Sequence, residues 1–178
     1  YRRDPVNRLA RALIDAGADI VDVGGESTRP PGADYGSGAA TVTEEEELAR
    51  VAAVIAGISA MRPDTMVSID TMKPGVARHA LSVGATMIND VSAGTFDQSI
   101  WDVAAEGRVP CVLMHGLTFG DRRPIEQFSY VDVVEEVHAF LTQRISMAGG
   151  AGVERVIADV GIGFSKGVDQ NLEILRHY

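Results

Sequence analysis

Six side chains with hydrogen-bonding capacity stand where short apolar runs stop: Asp22, Asp70, Asn89, Asp90, His115 and Asp159. A carboxylate accepts from two adjacent N–H groups, whereas an amide donates and accepts at once. Asp70, Asn89 and Asp159 are therefore suited to reading a heterocycle that carries an amidine edge. Taken singly, each is better explained as a turn or helix cap. Taken together, on one rim, they argue for a polar ligand held by hydrogen bonds. His115 reads equally as an oriented structural histidine and as a catalyst.

A second group lies in polar loops. Ser27-Thr28-Arg29-Pro30 joins a hydroxyl to an always-charged guanidinium, a pairing suited to gripping a diphosphate or a carboxylate. Gly161-Ile162-Gly163-Phe164-Ser165-Lys166 is glycine-rich, but it lacks the Gly-Lys-Ser/Thr ending of a phosphate loop, and Lys166 stands where a dinucleotide fingerprint needs glycine. No His/Cys group has zinc spacing, and no Gly-x-Ser-x-Gly elbow occurs. The run Glu44 to Glu47 is expected to be a solvated helix cap, because consecutive helical residues point in different directions. Cys111 reads as a small buried hydrophobe.

The elements that must position these residues follow from periodicity. Asp4-Pro5 is expected to cap a first helix carrying Val6, Leu9, Ala10, Leu13 and Ile14 at helical spacing. Strands are expected over Ile20–Gly25, Met66–Asp70, Met87–Val91, Val109–His115 and Arg155–Val160. Between them lie helices opened by the capping box at Thr43, by Pro74, by Asp97 and near Val133, with a last one from Asp169. Two long polar segments, Glu26 to Val42 and Gly116 to Ser129, have the length of functional loops.

Strand and helix thus alternate five times, which implies a parallel sheet with right-handed crossovers. Gly17-Ala18-Asp19, Gly84-Ala85-Thr86 and Gly152-Val153-Glu154 recur about 67 residues apart, each between a helix and a strand. That repetition favours an α/β fold of the TIM (β/α)8-barrel type. An open doubly wound sheet is the alternative, since five strands do not close a barrel. Both place function at the C-terminal strand ends.

Composition bounds the rest. With 178 residues, 46% of them hydrophobic, residues 1–178 are expected to form one globular domain. A formal net charge of −9 argues against a nucleic-acid or anionic-membrane surface, so no nucleic-acid or membrane partner is expected. No apolar run has the length of a membrane span, and a single cysteine suits a reducing compartment. A soluble cytoplasmic protein is the expectation.

Five blocks carry a resemblance to a known family: Asp22-Val23-Gly24-Gly25-Glu26-Ser27-Thr28-Arg29-Pro30, Ser68-Ile69-Asp70-Thr71, Ile88-Asn89-Asp90-Val91-Ser92, Met114-His115, and Asp159 through Lys166. In order and spacing they closely resemble dihydropteroate synthase. The resemblance implies a β/α barrel, represented here by about five units, the family's strands 2 to 6. It implies the joining of 6-hydroxymethyl-7,8-dihydropterin diphosphate to 4-aminobenzoate in folate synthesis, with release of diphosphate, and a sulfonamide target. Under it Asp70, Asn89 and Asp159 hydrogen-bond the pterin, while Val91, Met114 and Phe164 help line its pocket. Thr28, Arg29 and Pro30 belong to the loop over the diphosphate end and the aminobenzoate, with Arg29 assisting departure of the diphosphate. Mg2+ is the implied cofactor, its asparagine ligand expected before Tyr1, so that no metal ligand is expected within residues 1–178. A homodimer is expected. The family's first strand and last two units would lie outside the chain.

Two departures stand out: Val160 replaces the family's proline, and Gly116-Leu117-Thr118 differs from its usual segment. Two other functions compete with the first. A pterin-binding corrinoid methyltransferase shares the barrel and the pterin-holding acids. The other is a pterin-binding or interaction module without catalysis.

Overall fold

The computed structural model describes residues 3–28, 41–116 and 128–177. Its elements alternate in chain order: α1 (Arg3–Asp15), β1 (Ile20–Gly24), α2 (Glu44–Met61), β2 (Met66–Asp70), α3 (Pro74–Ser82), β3 (Met87–Asp90), α4 (Ile100–Gly107), β4 (Cys111–Met114), α5 (Val133–Gly150), β5 (Val156–Asp159) and α6 (Val168–Arg176). Strand β2 has the expected bounds, whereas the other four are shorter than expected by one to three residues. Asp4 lies inside the first turn of α1 rather than before it. Asp97 also differs from expectation: it accepts from the Ser99 N–H and hydroxyl, and α4 starts after Ser99.

The recurring glycines have a structural cause. Gly17, Gly84 and Gly152 take positive φ angles of 99°, 117° and 94°. The following amides of Ala18, Ala85 and Val153 donate to Leu13, Ala80 and Ala148, and the glycine amides donate to Ile14, Leu81 and Gly149. This is one Schellman ending used three times, reversing the chain from helix into strand. At the start of α2 a capping box forms: Thr43 Oγ1 accepts from the Glu46 N–H, and Glu46 Oε2 from the Thr43 N–H, each at 3.2 Å. Thr43→Ala should therefore lower stability by about 1 kcal/mol. An unchanged urea midpoint would show that other contacts hold the start of α2.

All five strands pair in parallel in the order β1-β2-β3-β4-β5. A doubly wound sheet reverses its order at a switch point, and this one does not. With right-handed crossovers an unreversed order puts every helix on the same face. That face holds the core: Val21, Val23, Val67, Ile69, Ile88, Cys111 and Leu113 from the strands meet Val51, Ile55, Ile58, Val76, Ala80, Trp101 and Ala148 from the helices. The opposite face, the inner wall of a barrel, leaves Ile20 43%, Met66 37% and Ile157 45% exposed. Among the described residues no helix is long and apolar enough to cross a membrane.

Candidate functional site

Strand alternation decides which polar ends share a face. Gly24, Asp70 and Asn89 are successive register partners across β1, β2 and β3, so Asp70 and Asn89 stand side by side on the inner face. Asp22, one layer below, accepts from Asn89 Nδ2 at 3.0 Å. Met114 and Asp159 are partners on β4 and β5, on that same face. Asp90 and His115 belong to the other parity and point toward the helices. The six ends therefore do not converge on one rim. Four of them, Asp22, Asp70, Asn89 and Asp159, share the inner face.

Of the two outward residues, one builds a loop and the other packs among aromatic rings. Asp90, wholly buried, accepts from the Ser92 N–H at 3.0 Å, the Ser92 hydroxyl at 2.6 Å and the Gly94 N–H at 2.6 Å. Burial pushes its carboxyl up to about 6 against those hydrogen bonds and Arg144. Arg144 of α5 donates to the Ala93 carbonyl at 2.6 Å and lies 4.8 Å over the Trp101 ring. His115 meets Phe140 edge to face at 4.9 Å. Burial, then Lys166, pushes its imidazole down to about 4, so it is neutral at ordinary pH. It is a packed structural histidine. Burial likewise pushes the Cys111 thiol up to about 12.

Asp70 is the most strongly perturbed acid. Burial pushes its carboxyl up to about 7, helped by Asp22, Glu47, Asp90 and Glu26. Its Oδ1 is buried and has no hydrogen-bond partner among the described residues. Room beside it comes from Gly24, where a Cβ would lie 3.1 Å from Asp70 Oδ2. A buried carboxylate oxygen without a donor is a costly arrangement unless a ligand supplies one. Asp159 uses Oδ1 to accept from the Gly161 N–H at 2.8 Å, which shapes the corner after β5.

Val91 and Met114 are 5% and 3% exposed, and Phe164 is half-buried in the loop after β5. The Phe164 N–H donates to the Gly161 carbonyl at 3.1 Å. Gly161, with φ of 67°, lies so close to β4 that a Cβ there would sit 2.0 Å from the His115 carbonyl oxygen. Thr28 is half-buried after β1. Arg29 and Pro30 lie outside the described residues.

Behind the site is an ion cluster that sequence reasoning missed. Lys73, just before α3, donates to both Glu26 and Glu47. Glu26 also accepts from the Val42 N–H at 3.2 Å, joining the residues on either side of the segment 27–41. Arg50 donates to the Gly25 carbonyl at 2.8 Å. Burial disfavours the Lys73 charge, but the two glutamates more than offset it and raise its pKa above the ordinary value. Glu47 is 1% exposed and is no solvated cap. The missed signal was spacing: Glu47, Val51, Ile55 and Ile58 form one helical stripe, and all four are buried.

Magnesium finds little here. Among the described residues no group of three or more His, Cys, Asp or Glu is arranged to hold a metal ion. Acids of the inner face are spread over several strands, and Asp22 and Asp159 are already engaged by Asn89 and Gly161. The described donor set alone does not fit the ion.

A family model described as pterin binding enzyme matches residues 4–178. The chain is 39% identical over 170 residues to a dihydropteroate synthase of Synechocystis sp., covering 94% of this chain and 55% of that protein. It is 41% identical over 176 residues to the dihydropteroate synthase of Clostridium beijerinckii, covering 98% and 60%. Among solved structures, dihydropteroate synthase of Xanthomonas albilineans with 4-aminobenzoic acid superposes with TM-score 0.86 at 42% identity, covering 98% of this chain and 59% of that one. The same enzyme in complex with 7,8-dihydropteroate gives TM-score 0.80 at 37% identity, covering 98% and 58%. The chain thus spans a little over half the length of these relatives. It is similar to them across almost all of its own length.

Proposed function

This chain belongs to the pterin-binding enzyme family, and from that premise we propose that the protein containing it is a dihydropteroate synthase of folate biosynthesis. The reaction joins 6-hydroxymethyl-7,8-dihydropterin diphosphate to 4-aminobenzoate. The aminobenzoate nitrogen bonds to the pterin methylene, the bond from that carbon to the diphosphate oxygen breaks, and the nitrogen releases a proton. Support comes from relatives bearing that name and from the solved neighbours with 4-aminobenzoic acid and 7,8-dihydropteroate bound.

The observation that carries the reading is Asp70 Oδ1, buried on the inner face without a donor. A pterin offers adjacent ring and exocyclic N–H groups, the donor pair that a carboxylate lacks here. Asn89, register partner of Asp70, adds an amide that can both donate and accept. Asp159 presents its second oxygen, and Val91, Met114 and Phe164 supply apolar walls. These residues orient the pterin; they do not break bonds. Thr28, Arg29 and Pro30 are assigned to the diphosphate and aminobenzoate end on the resemblance. Mg2+ is proposed as an aid to diphosphate departure, with ligands from outside the described residues.

Three further parts belong to this reading. A cytoplasmic location suits the lone buried cysteine. A homodimer is proposed on the resemblance. Sulfonamide inhibition would follow from competition with 4-aminobenzoate.

The test is turnover by the native polypeptide. Dihydropterin diphosphate and 4-aminobenzoate should yield dihydropteroate and diphosphate, and pterin binding without diphosphate release would reduce the protein to a binding module. Asp159→Asn should weaken dihydropterin binding by about 10- to 100-fold, the range expected for a hydrogen bond to a charged group. Asparagine can still accept from the Gly161 N–H, but its NH2 then faces the N–H of the ligand. Equal affinities in a calorimetric titration would remove Asp159 from the site.

A further inference from the structure

Lys166 is 2% exposed, and among the described residues it forms no ion pair. Its ammonium donates to three backbone carbonyls: His115 at 3.1 Å, Gly161 at 3.0 Å and Phe164 at 2.9 Å. A lysine has three N–H donors and no acceptor, so each donor here is used. The carbonyls come from two elements. His115 directly follows β4, whereas Gly161 and Phe164 lie in the corner after β5.

Other bonds converge on the same joint. The His115 N–H donates to the Asp159 carbonyl at 2.9 Å, and the Tyr130 hydroxyl donates to the Ser165 carbonyl at 3.0 Å. Asn171 accepts from the Gly163 N–H and donates to the Lys166 and Gly167 carbonyls. Burying an ammonium is costly, and an apolar side chain of similar size would avoid that cost. What an apolar side chain cannot do is draw carbonyls of two strand exits onto one point.

We propose that Lys166 is a positioning residue: by clamping the exits of β4 and β5 together it sets Met114, Asp159 and Phe164 at the spacing a dihydropterin needs. The ligand named here rests on the proposed function; the clamp itself does not. Loss of the ammonium frees the His115 and Phe164 carbonyls, and the corner carrying Phe164 moves relative to Met114.

The test compares the native polypeptide with Lys166→Met, which keeps an unbranched side chain one atom shorter and removes its donors. Dihydropterin should bind Lys166→Met at least about tenfold more weakly, the cost of one or two lost polar contacts. Hydrogen exchange at the His115 and Phe164 amides should accelerate in the free protein. Val153→Ala, in the core away from the inner face, serves as the control for general destabilisation, and it should leave both readouts near wild type. Unchanged affinity and protection in Lys166→Met, or equal losses in Val153→Ala, would overturn the proposal. If Lys166→Met does not fold, Lys166→Arg replaces it: a planar guanidinium keeps the charge but cannot aim its donors from one atom at three carbonyls. It should show the same two losses, and wild-type behaviour would count against the clamp. Failure of the wild-type protein to bind dihydropterin would strike the functional reading instead, and amide exchange would then decide the clamp by itself.

Discussion

Lys73→Met should lower stability by about 3–5 kcal/mol, because it leaves two buried carboxylates without their shared cation. Lys73 and Glu26 have side chains only 13% and 10% exposed, and that of Glu47 is 1% exposed, so water cannot take over the role of the ammonium. Glu47 Oε1 already lacks a partner among the described residues. For a domain of this size such a loss lowers Tm by on the order of 10 °C. Glu47→Gln placed on top of Lys73→Met should recover part of the loss, since it removes one of the stranded charges. The effect should reach the ligand as well. Glu26 is the residue that ties Lys73 to Val42, and Thr28 follows it by two positions. Calorimetry on the two variants decides the matter: a Tm within 2 °C of wild type for Lys73→Met would mean that the ion cluster does not hold the fold together.

Asp70→Asn should raise stability and damage binding, with an effect that grows with pH. The carboxyl titrates at about 7 when folded and at 3.8 in its unperturbed state. Between those values the folded protein retains a proton that the unfolded chain has released. Stability therefore falls as pH rises from about 4 to about 7, and the full penalty is present above 7. Each pH unit in that window is worth roughly 1.4 kcal/mol. Asparagine does not titrate, so the advantage of Asp70→Asn over wild type should widen by about 2–3 kcal/mol between pH 5 and pH 8. Urea unfolding at the two pH values measures it. A constant offset would show that the carboxyl is ionised across the whole range.

Binding should run the other way. Ionised Asp70 accepts from two N–H groups, whereas protonated Asp70 cannot, so dihydropterin affinity in wild type should climb toward pH 7 and then level. In Asp70→Asn it should be low and flat. Burial, together with the field of Asp22, Glu47, Asp90 and Glu26, destabilises the ionised carboxylate of the empty site and favours a donor-rich ligand edge. Functional sites commonly carry this kind of stability deficit.

Much of the fold was legible because its signals are local. Thr43 with Glu46, Pro74 at the start of α3, and the apolar runs ending at Asp70 and Asp159 each act over a few residues, and each appears in the structure where periodicity puts it. The three Gly-containing repeats are the same case: a left-handed residue after a helix has few solutions, so one motif recurs. The strand order chose between two architectures that periodicity left open, because it depends on which strands pair across the sheet.

Orientation was the part that one dimension could not carry. Asn89 and Asp90 are adjacent and both polar, so nothing local says which faces the ligand side. Helices covering one face of the sheet turned the Asp90 side chain toward the loop after β3 and left Asn89 beside Asp70. Glu47 sits in a run of four glutamates whose other members suit a solvated helix start, and only the Lys73 ammonium supplied from just before α3 makes its burial tolerable. Lys166 is similar, since two of its three carbonyl partners lie within five positions but the third, His115, comes from the exit of the neighbouring strand. The sequence by itself determined the alternation, the chain reversals and the family. Tertiary structure alone decided which polar ends share a face, which charges are buried together, and hence why Asp70 is poised to take a proton or a ligand.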